Sequence, residues 1–207
     1  MANLQAINSL IQSLADWLQN TYRMARDNGQ TFLPENFAFT PISSSALSIE
    51  DMEDDANAGS QRVSIYLYRV SIDPHLRSAG RSMTPEMEPV PLSVQLHLLF
   101  SMWSETAAND HLVLTWLMRQ LHLHPVLDAA VLNPEADWKA DEVVHLIPAE
   151  LSNEDMMRLW DALTPSYRLS VSYIARVVRI DPDKELESGP VIARRFQYGE
   201  LKEVSPP

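Results

Sequence analysis

The stretch RVSIYLYRVSI, residues 62–72, decides the fold, because its side chains alternate in the way that a β-strand requires. One side of the predicted strand carries Val63, Ile65 and Leu67, and the other carries Tyr66, Tyr68, Val70 and Ile72. Because both sides are largely apolar, the pattern predicts a strand that is central in its sheet or covered on both sides. Asp73-Pro74 ends the strand, since proline has no amide hydrogen for the ladder.

Other predicted elements extend outward from this strand. Two further long strands are predicted at residues 92–102 and 169–180, and shorter strands at 37–42 and 143–147. Helices are predicted at residues 3–27 and 107–123, with a third that begins at Ser152 and ends before Pro165. Residues 126–132 are interpreted as a short turn. This order predicts an α/β fold of the mixed α+β kind, in which helices pack on a single-layer mixed β-sheet.

Each predicted helix has one apolar stripe. The stripes are Leu4, Ile7, Leu10, Ile11, Leu14, Leu18 and Tyr22 in the first helix, His111, Leu114, Leu117, Met118 and Leu121 in the second, and Met156, Leu159, Trp160 and Leu163 in the third. A single stripe requires a surface to lie against, which for the first helix is its own sheet or another subunit.

The predicted domain organisation has two parts. Residues 1–182 form one domain, and residues 183–207 form a C-terminal extension that adds an edge strand or stays extended until a partner orders it. The acidic run from Ser48 to Gly59 is interpreted as a solvated loop.

Charge and composition exclude several functions. The 207 residues include 28 acidic and 16 basic ones, and the net charge of −12 opposes binding to nucleic acid and to anionic lipid. The absence of cysteine excludes a thiol nucleophile and a cysteine-based metal site. The longest apolar run, residues 96–103, is far shorter than the ~20 residues of a membrane-spanning helix. We therefore expect a cytoplasmic protein without direct membrane insertion.

A search for catalytic motifs gives one weak alternative. The sequence contains no nucleophile elbow, phosphate loop or zinc-helix motif. No catalytic, cofactor-binding or metal-binding residue is therefore predicted, and the chain is not expected to be an enzyme. The alternative is a metal-dependent hydrolase built around His122, His124 and Asp128, although the helix dipole is the better explanation of histidines at a helix C-terminus.

Three stretches, taken together and in order, resemble one protein family. They are VSIYLYRVSIDPHLR at residues 63–77, the segment from PLSVQLHLLFSMW to HLVLTWLMRQLHLHPVLD at residues 91–128, and the segment from LSNEDMMRLWDAL to YRLSVSYIARVVRID at residues 151–181. With these stretches the chain resembles the cap, or tail-terminator, proteins of phage-tail-like contractile injection systems.

This resemblance implies a tail-terminator-like fold and a structural role without catalysis. Family members form a six-fold ring at the end of the particle distal to the baseplate, where the ring stops growth of the inner tube and anchors the last sheath ring. The implied partners are further copies of the chain, in a hexameric ring, and the tube and sheath proteins. The implied location is the cytoplasm, within a contractile particle that can be released from the cell. A monomeric or dimeric adaptor is the alternative from a different class.

Candidate interface residues follow from charge and from the extension. Copies that each carry a charge of −12 must either form arginine–carboxylate pairs between them or hold their like charges apart. At least one contact between subunits is therefore predicted among Arg69, Arg77, Arg119, Arg176 and Arg179. Trp138, in a polar loop, is a candidate interface anchor. Candidates for a β-augmentation arm, or for the strand that receives one, are Val191, Arg194, Arg195, Phe196 and Tyr198.

Overall fold

The computed structural model describes residues 2–47, 61–73, 91–163 and 166–180. The helices of this part are α1 (Ala6–Asp27), α2 (Ala107–Leu123) and α3 (Asn153–Asp161). Its strands are β1 (Ala38–Ile42), β2 (Arg62–Ile72), β3 (Leu92–Trp103), β4 (Val126–Leu127), β5 (Val144–Pro148) and β6 (Ser170–Ile180). The predicted strands and helices are confirmed, except that the turn expected at residues 126–132 begins with the short strand β4.

The strands of the described part form one sheet in the order β1-β2-β3-β6-β5-β4. β1 pairs in parallel with β2, and the remaining pairs are antiparallel, so the sheet is mixed. β3 lies at the centre, between β2 and β6. The predicted fold class, helices packed on a mixed sheet, is confirmed.

α1 and α2 cover one side of the sheet, which we call the helix face. Leu10 and Leu14 of α1 and Leu117 of α2 lie in one buried cluster with alternate residues of β2, β3 and β6. Tyr22 links the two helices, because its ring meets that of Trp116 edge to face with 4.9 Å between the ring centroids. Burial of these side chains provides the main stabilisation of the fold.

The stripes predicted for α1 and α2 are wrong in part. Leu4 precedes α1 and is 78% exposed. In α2, Val113 and Trp116 are buried, whereas Met118 is 44% exposed and His111 is also exposed. Because α2 is broadly apolar, its periodicity does not single out the side that meets the sheet.

The opposite side of the sheet, which we call the second face, is covered over only part of its area. Near the C-terminal end of β3, Leu47, Leu99, Trp103 and Trp160 form a smaller buried cluster. Trp160 comes from α3, which begins at Ser152, where the side-chain oxygen accepts a hydrogen bond from the backbone N–H of Asp155 at 3.1 Å. The remaining stripe residues of α3 are only partly buried against this cluster.

Irregularities in pairing on both sides of β3 change which side chains share a face. The register between β2 and β3 shifts between Leu67 and Arg69, and the register between β3 and β6 shifts between Val94 and Leu96. After the first shift Val70 pairs with the core residue Leu96. The prediction that Val70 and Ile72 share a side with Tyr66 and Tyr68 is therefore wrong, because an extra residue reverses the alternation.

Candidate functional site

One half of the second face is left open, beyond the part that α3 covers. Its members lie on the side opposite the main core, and each is exposed or half-exposed. They are Arg69, Ser71, Gln95, His97, His145, Ile147, Ile174, Arg176 and Arg179. We call these nine residues the open half.

The register places three of the predicted arginines on this surface. Arg69 on β2 lies directly opposite His97 on β3 in the strand register. The residues before and after His97, Leu96 and Leu98, point into the main core. Directly opposed residues of neighbouring strands point to the same side, so Arg69 and His97 both lie on the second face.

Two arginines of β6 reach the same surface. Arg176 pairs with His145, which lies between the core residues Val144 and Leu146. Arg179 pairs with Ser93, next to the core pair of Val178 and Val94. β2 and β6 flank β3 and are therefore roughly 10 Å apart. Arg69 projects from β2, and Arg176 and Arg179 project from β6.

These arginines, Arg69, Arg176 and Arg179, have no ion pair within the described part of the chain. By contrast, Arg26 pairs with Glu35 at 2.7 Å, and Arg158 pairs with Glu154 at 2.6 Å. The open half therefore combines positive charge with exposure on a chain that is acidic as a whole.

His97 lies where the open half meets the covered half of the second face. Its Nε2 is 3.0 Å from the Ser71 hydroxyl, and its ring meets the Tyr68 ring edge to face at 5.7 Å. Burial first, and the positive charge of Arg69 second, lower the pKa of His97 below its usual value. The site thus favours the neutral imidazole while no anion is bound.

Several polar groups of the covered half of the second face are paired within the chain. Trp103 Nε1 donates to Ser64 Oγ at 2.9 Å, and Ser170 Oγ donates to Ser101 Oγ at 3.0 Å. The guanidinium carbon of Arg168 lies 5.1 Å from the centroid of the Trp103 ring. The serine hydroxyls and the Trp103 indole therefore have partners here. The exception is Trp160 Nε1, which is buried without a hydrogen-bond partner among the described residues.

Trp138 lies at the rim of the open half. It lines a cavity of about 200 Å³ together with Val143, His145 and Arg179, and Asp141 and Glu142 also border this cavity. Trp138 Nε1 donates to Ser9 Oγ on α1 at 3.0 Å, which fixes its loop to the first helix. The half-buried indole thus has a structural contact within the chain and remains next to Arg179.

Of the remaining interface candidates, only Arg119 is among the described residues, and it lies away from this surface. Arg119 is on α2, where it lines a groove of about 220 Å³ with Phe32, Leu112 and Trp116. Arg77 and the five candidates of the extension, which are Val191, Arg194, Arg195, Phe196 and Tyr198, lie outside the described residues.

The residues of the hydrolase alternative are used for packing and turns. The His124 ring packs edge to face on Trp17 with 5.8 Å between centroids, and Asp128 Oδ1 accepts a hydrogen bond from the backbone N–H of Ala130 at 3.0 Å. His122 is exposed at the end of α2. Within residues 2–47, 61–73, 91–163 and 166–180, no group of three or more His, Cys, Asp or Glu side chains is arranged to hold a metal ion.

Sequence reasoning missed the histidines of the open half and the common face of its arginines. Simple alternation would put Arg69 on the side of the core residue Ile65, and Arg179 on the side of the core residue Ala175, because each is an even number of residues away. The pairing irregularities move both arginines to the second face. The serines and glutamine that alternate with apolar residues along β3 are the sequence signal for a polar second face.

The fold is a mixed sheet with one helix-covered face and one half-open cationic face. The family described as "Pvc16 N-terminal domain" matches residues 9–194, and the chain belongs to this family. None of the helices in the described part is both long enough and apolar enough to span a membrane.

Solved structures with a similar fold come from contractile injection particles. The PVC sheath/tube terminator of an extracellular contractile injection system, in its extended state, aligns with a TM-score of 0.58 and 18% identity. The alignment covers 98% of this chain and 65% of the terminator, so the chain spans about two thirds of that protein's length. The tube-terminating cap of the anti-feeding prophage aligns with a TM-score of 0.46 and 18% identity over 75% of this chain and 52% of the cap. A comparison with curated proteins gives no match. The predicted family and fold are confirmed.

Proposed function

We propose that this chain is a structural terminator of a contractile injection system. A ring of its copies ends growth of the inner tube and anchors the distal ring of the sheath. The observation that carries the proposal is membership of the Pvc16 N-terminal domain family over residues 9–194, together with a fold that is similar to a sheath/tube terminator along 98% of the chain. The partners are further copies of the chain, in a hexamer, and the tube and sheath proteins, and assembly takes place in the cytoplasm.

The surface chemistry is consistent with a role that depends on shape. A terminator must match the last ring of a polymer on one side and offer no continuing site on the other. Such a protein needs exposed contacts rather than reactive groups, and the open half provides charged side chains without a built pocket for a substrate. We propose that the protein is not an enzyme.

The edge of the sheet at β1 is blocked against an added strand. Phe39 N donates to Gln19 Oε1 at 3.0 Å, and Gln19 Nε2 donates to the Phe37 carbonyl at 3.2 Å, so a side-chain amide of α1 occupies the outer edge. Two positions further along, Pro41 has no amide hydrogen to offer. The polar groups that a partner strand would need are already used or absent.

The opposite edge of the described sheet is short. β4 has two residues, and Leu146 N of β5 already donates to the Pro125 carbonyl at 2.7 Å. Neither edge in the described part therefore offers a long ladder to an incoming strand. This favours a chain that contributes an extended arm to a partner's sheet over a chain whose own sheet accepts one. We propose residues 191–198 of the extension as that arm, and residues 1–182 as the domain that precedes the extension.

Electron microscopy of particles made with and without this chain tests the proposal. Without it we expect tubes of uncontrolled length or detached sheaths, and the wild-type gene supplied in trans should restore uniform particles. Intact particles of uniform length from the deletion strain would refute the terminator function.

Truncation tests the arm separately. A chain lacking residues 189–207 should still form its ring but attach the sheath poorly, and a chain with Arg194→Ala and Arg195→Ala serves as a milder comparison. Normal sheath attachment by the truncated chain would reject the arm and leave the terminator function standing.

A further inference from the structure

The open half combines cationic groups without a single carboxylate among its members. Arg69, Arg176 and Arg179 are joined there by His97 and His145, on a chain with 28 acidic and 16 basic residues. Among the described residues, acidic side chains border this surface at Asp73, which is buried and accepts from Gln95 Nε2 at 3.0 Å, and at Asp141 and Glu142 on the cavity rim. The distribution of charge is therefore strongly uneven.

Such a surface attracts carboxylates of another segment. Exposed like charges on neighbouring strands repel each other, and a complementary anionic segment relieves that repulsion. The aliphatic side chains of Ile147 and Ile174 are next to the arginines on the same face, and Ile147 is 40% exposed. The surface thus fits a segment that is mainly acidic and carries some apolar side chain.

This chain contains a segment with that chemistry. The sequence DPDKELE at residues 181–187, which we call the acidic stretch, has four carboxylates, one lysine and one leucine. It begins directly after β6, which ends at Ile180, one position beyond Arg179. Every copy therefore starts its acidic stretch at the border of its own open half.

We propose that the open half of one copy binds the acidic stretch of the neighbouring copy. This inference rests on the proposed ring. A contact between two different surfaces, each present once per chain, joins copies head to tail, and such a contact closes into a ring when the rotation per copy allows it. Because each copy gives one acidic stretch and receives one, every copy in a closed ring has its open half occupied.

A charge-swap experiment on the full-length chain tests this contact. The face-reversed chain carries Arg176→Glu and Arg179→Glu, and the stretch-reversed chain carries Asp183→Lys and Glu185→Lys. The control carries Arg23→Glu and Arg158→Glu, two exposed arginines outside the open half, and has the same charge change as the face-reversed chain. Circular dichroism verifies that each variant is folded, and light scattering measures its mass.

The reversed chains should each assemble poorly, with a dissociation constant raised about tenfold or more, because like charges then meet at every contact. The control should assemble as the wild type does. An equimolar mixture of the two reversed chains should recover the wild-type mass, since copies that alternate around an even-membered ring restore an attractive pair at every contact.

Each other outcome overturns the inference. Wild-type mass for both reversed chains would exclude the contact, and so would a wild-type chain that is monomeric at all concentrations. Recovery in one chain carrying all four substitutions, but not in the mixture, would assign the acidic stretch to its own open half. Binding of duplex DNA that the face-reversed chain loses, without a change in mass, would assign the surface to nucleic acid. Failure of the terminator function is recognised separately, from particle length and sheath attachment.

Discussion

The two sides of β3 show how one strand serves two purposes. Toward α1 and α2 it presents Val94, Leu96, Leu98, Phe100 and Met102, all of which are buried. Toward the second face it presents Gln95 and His97 in the open half, then Leu99 and Trp103 under α3. The helix side of β3 is buried within one chain, whereas Gln95 and His97 on its other side stay half-exposed.

This difference separates stability from assembly. Apolar side chains on the helix face lose contact with water on folding, so they stabilise the chain whether it is free or assembled. Arginines of the open half gain no comparable energy from folding, since they stay exposed and have no ion pair with the described residues. Substitutions on the helix face should therefore act on unfolding, and substitutions in the open half should act on association.

The largest expected difference is between two adjacent residues of β3. Leu98→Ala should lower the free energy of unfolding by about 2–5 kcal/mol, because Leu98 is fully buried and its truncation leaves a cavity in the core. His97→Ala, one residue earlier on the other face, should cost less than about 1 kcal/mol. Urea unfolding followed by circular dichroism measures both, and equal losses would contradict the contrast between the faces.

A smaller effect is expected from two serines of β2 on the second face. Ser64→Ala should cost about 1–3 kcal/mol, because Trp103 Nε1 then stays buried without its acceptor. Ser71→Ala, in the open half, should cost less than about 0.5 kcal/mol, since the His97 ring can turn to water instead. A loss for Ser71→Ala as large as that for Ser64→Ala would show that the open half is closed within the single chain.

The smallest expected effect is on the pH dependence of the free energy of unfolding. The pKa of His97 is lower in the folded chain than in the unfolded one, so the unfolded chain binds the proton more readily. The contribution of His97 is present above its unfolded pKa, near 6.5, and is lost as the pH falls below that value. His97→Gln should therefore show a smaller decrease in unfolding free energy between pH 7 and pH 5 than the wild type. An identical decrease in both proteins would contradict the burial of His97 beside Arg69.

Much of the fold could be predicted because its signals are local. Alternation located β2, β3 and β6, and the capping serine located the start of α3. The buried side of α2 could not be predicted, since an apolar helix offers several candidate stripes. Arg69, Arg176 and Arg179 were selected by charge, and Trp138 by its polar surroundings, without any indication that they border one surface. Their role as contacts between subunits stays a prediction.

The sequence by itself determined the strands, the helices and the excess of acidic residues, because these depend on neighbours along the chain. Only the tertiary structure decided which side chains share a face and which part of that face stays open. The pairing irregularities on either side of β3 move the residues that follow them to the opposite face. Because apolar residues occur both before and after these positions, the alternation in the sequence does not show where the faces change. Coverage by α3 is likewise a contact between residues distant in sequence, such as Trp103 and Trp160, with 6.4 Å between their ring centroids. Burial is a property of three-dimensional neighbours, and for that reason the cationic open half emerges only once the strands are paired.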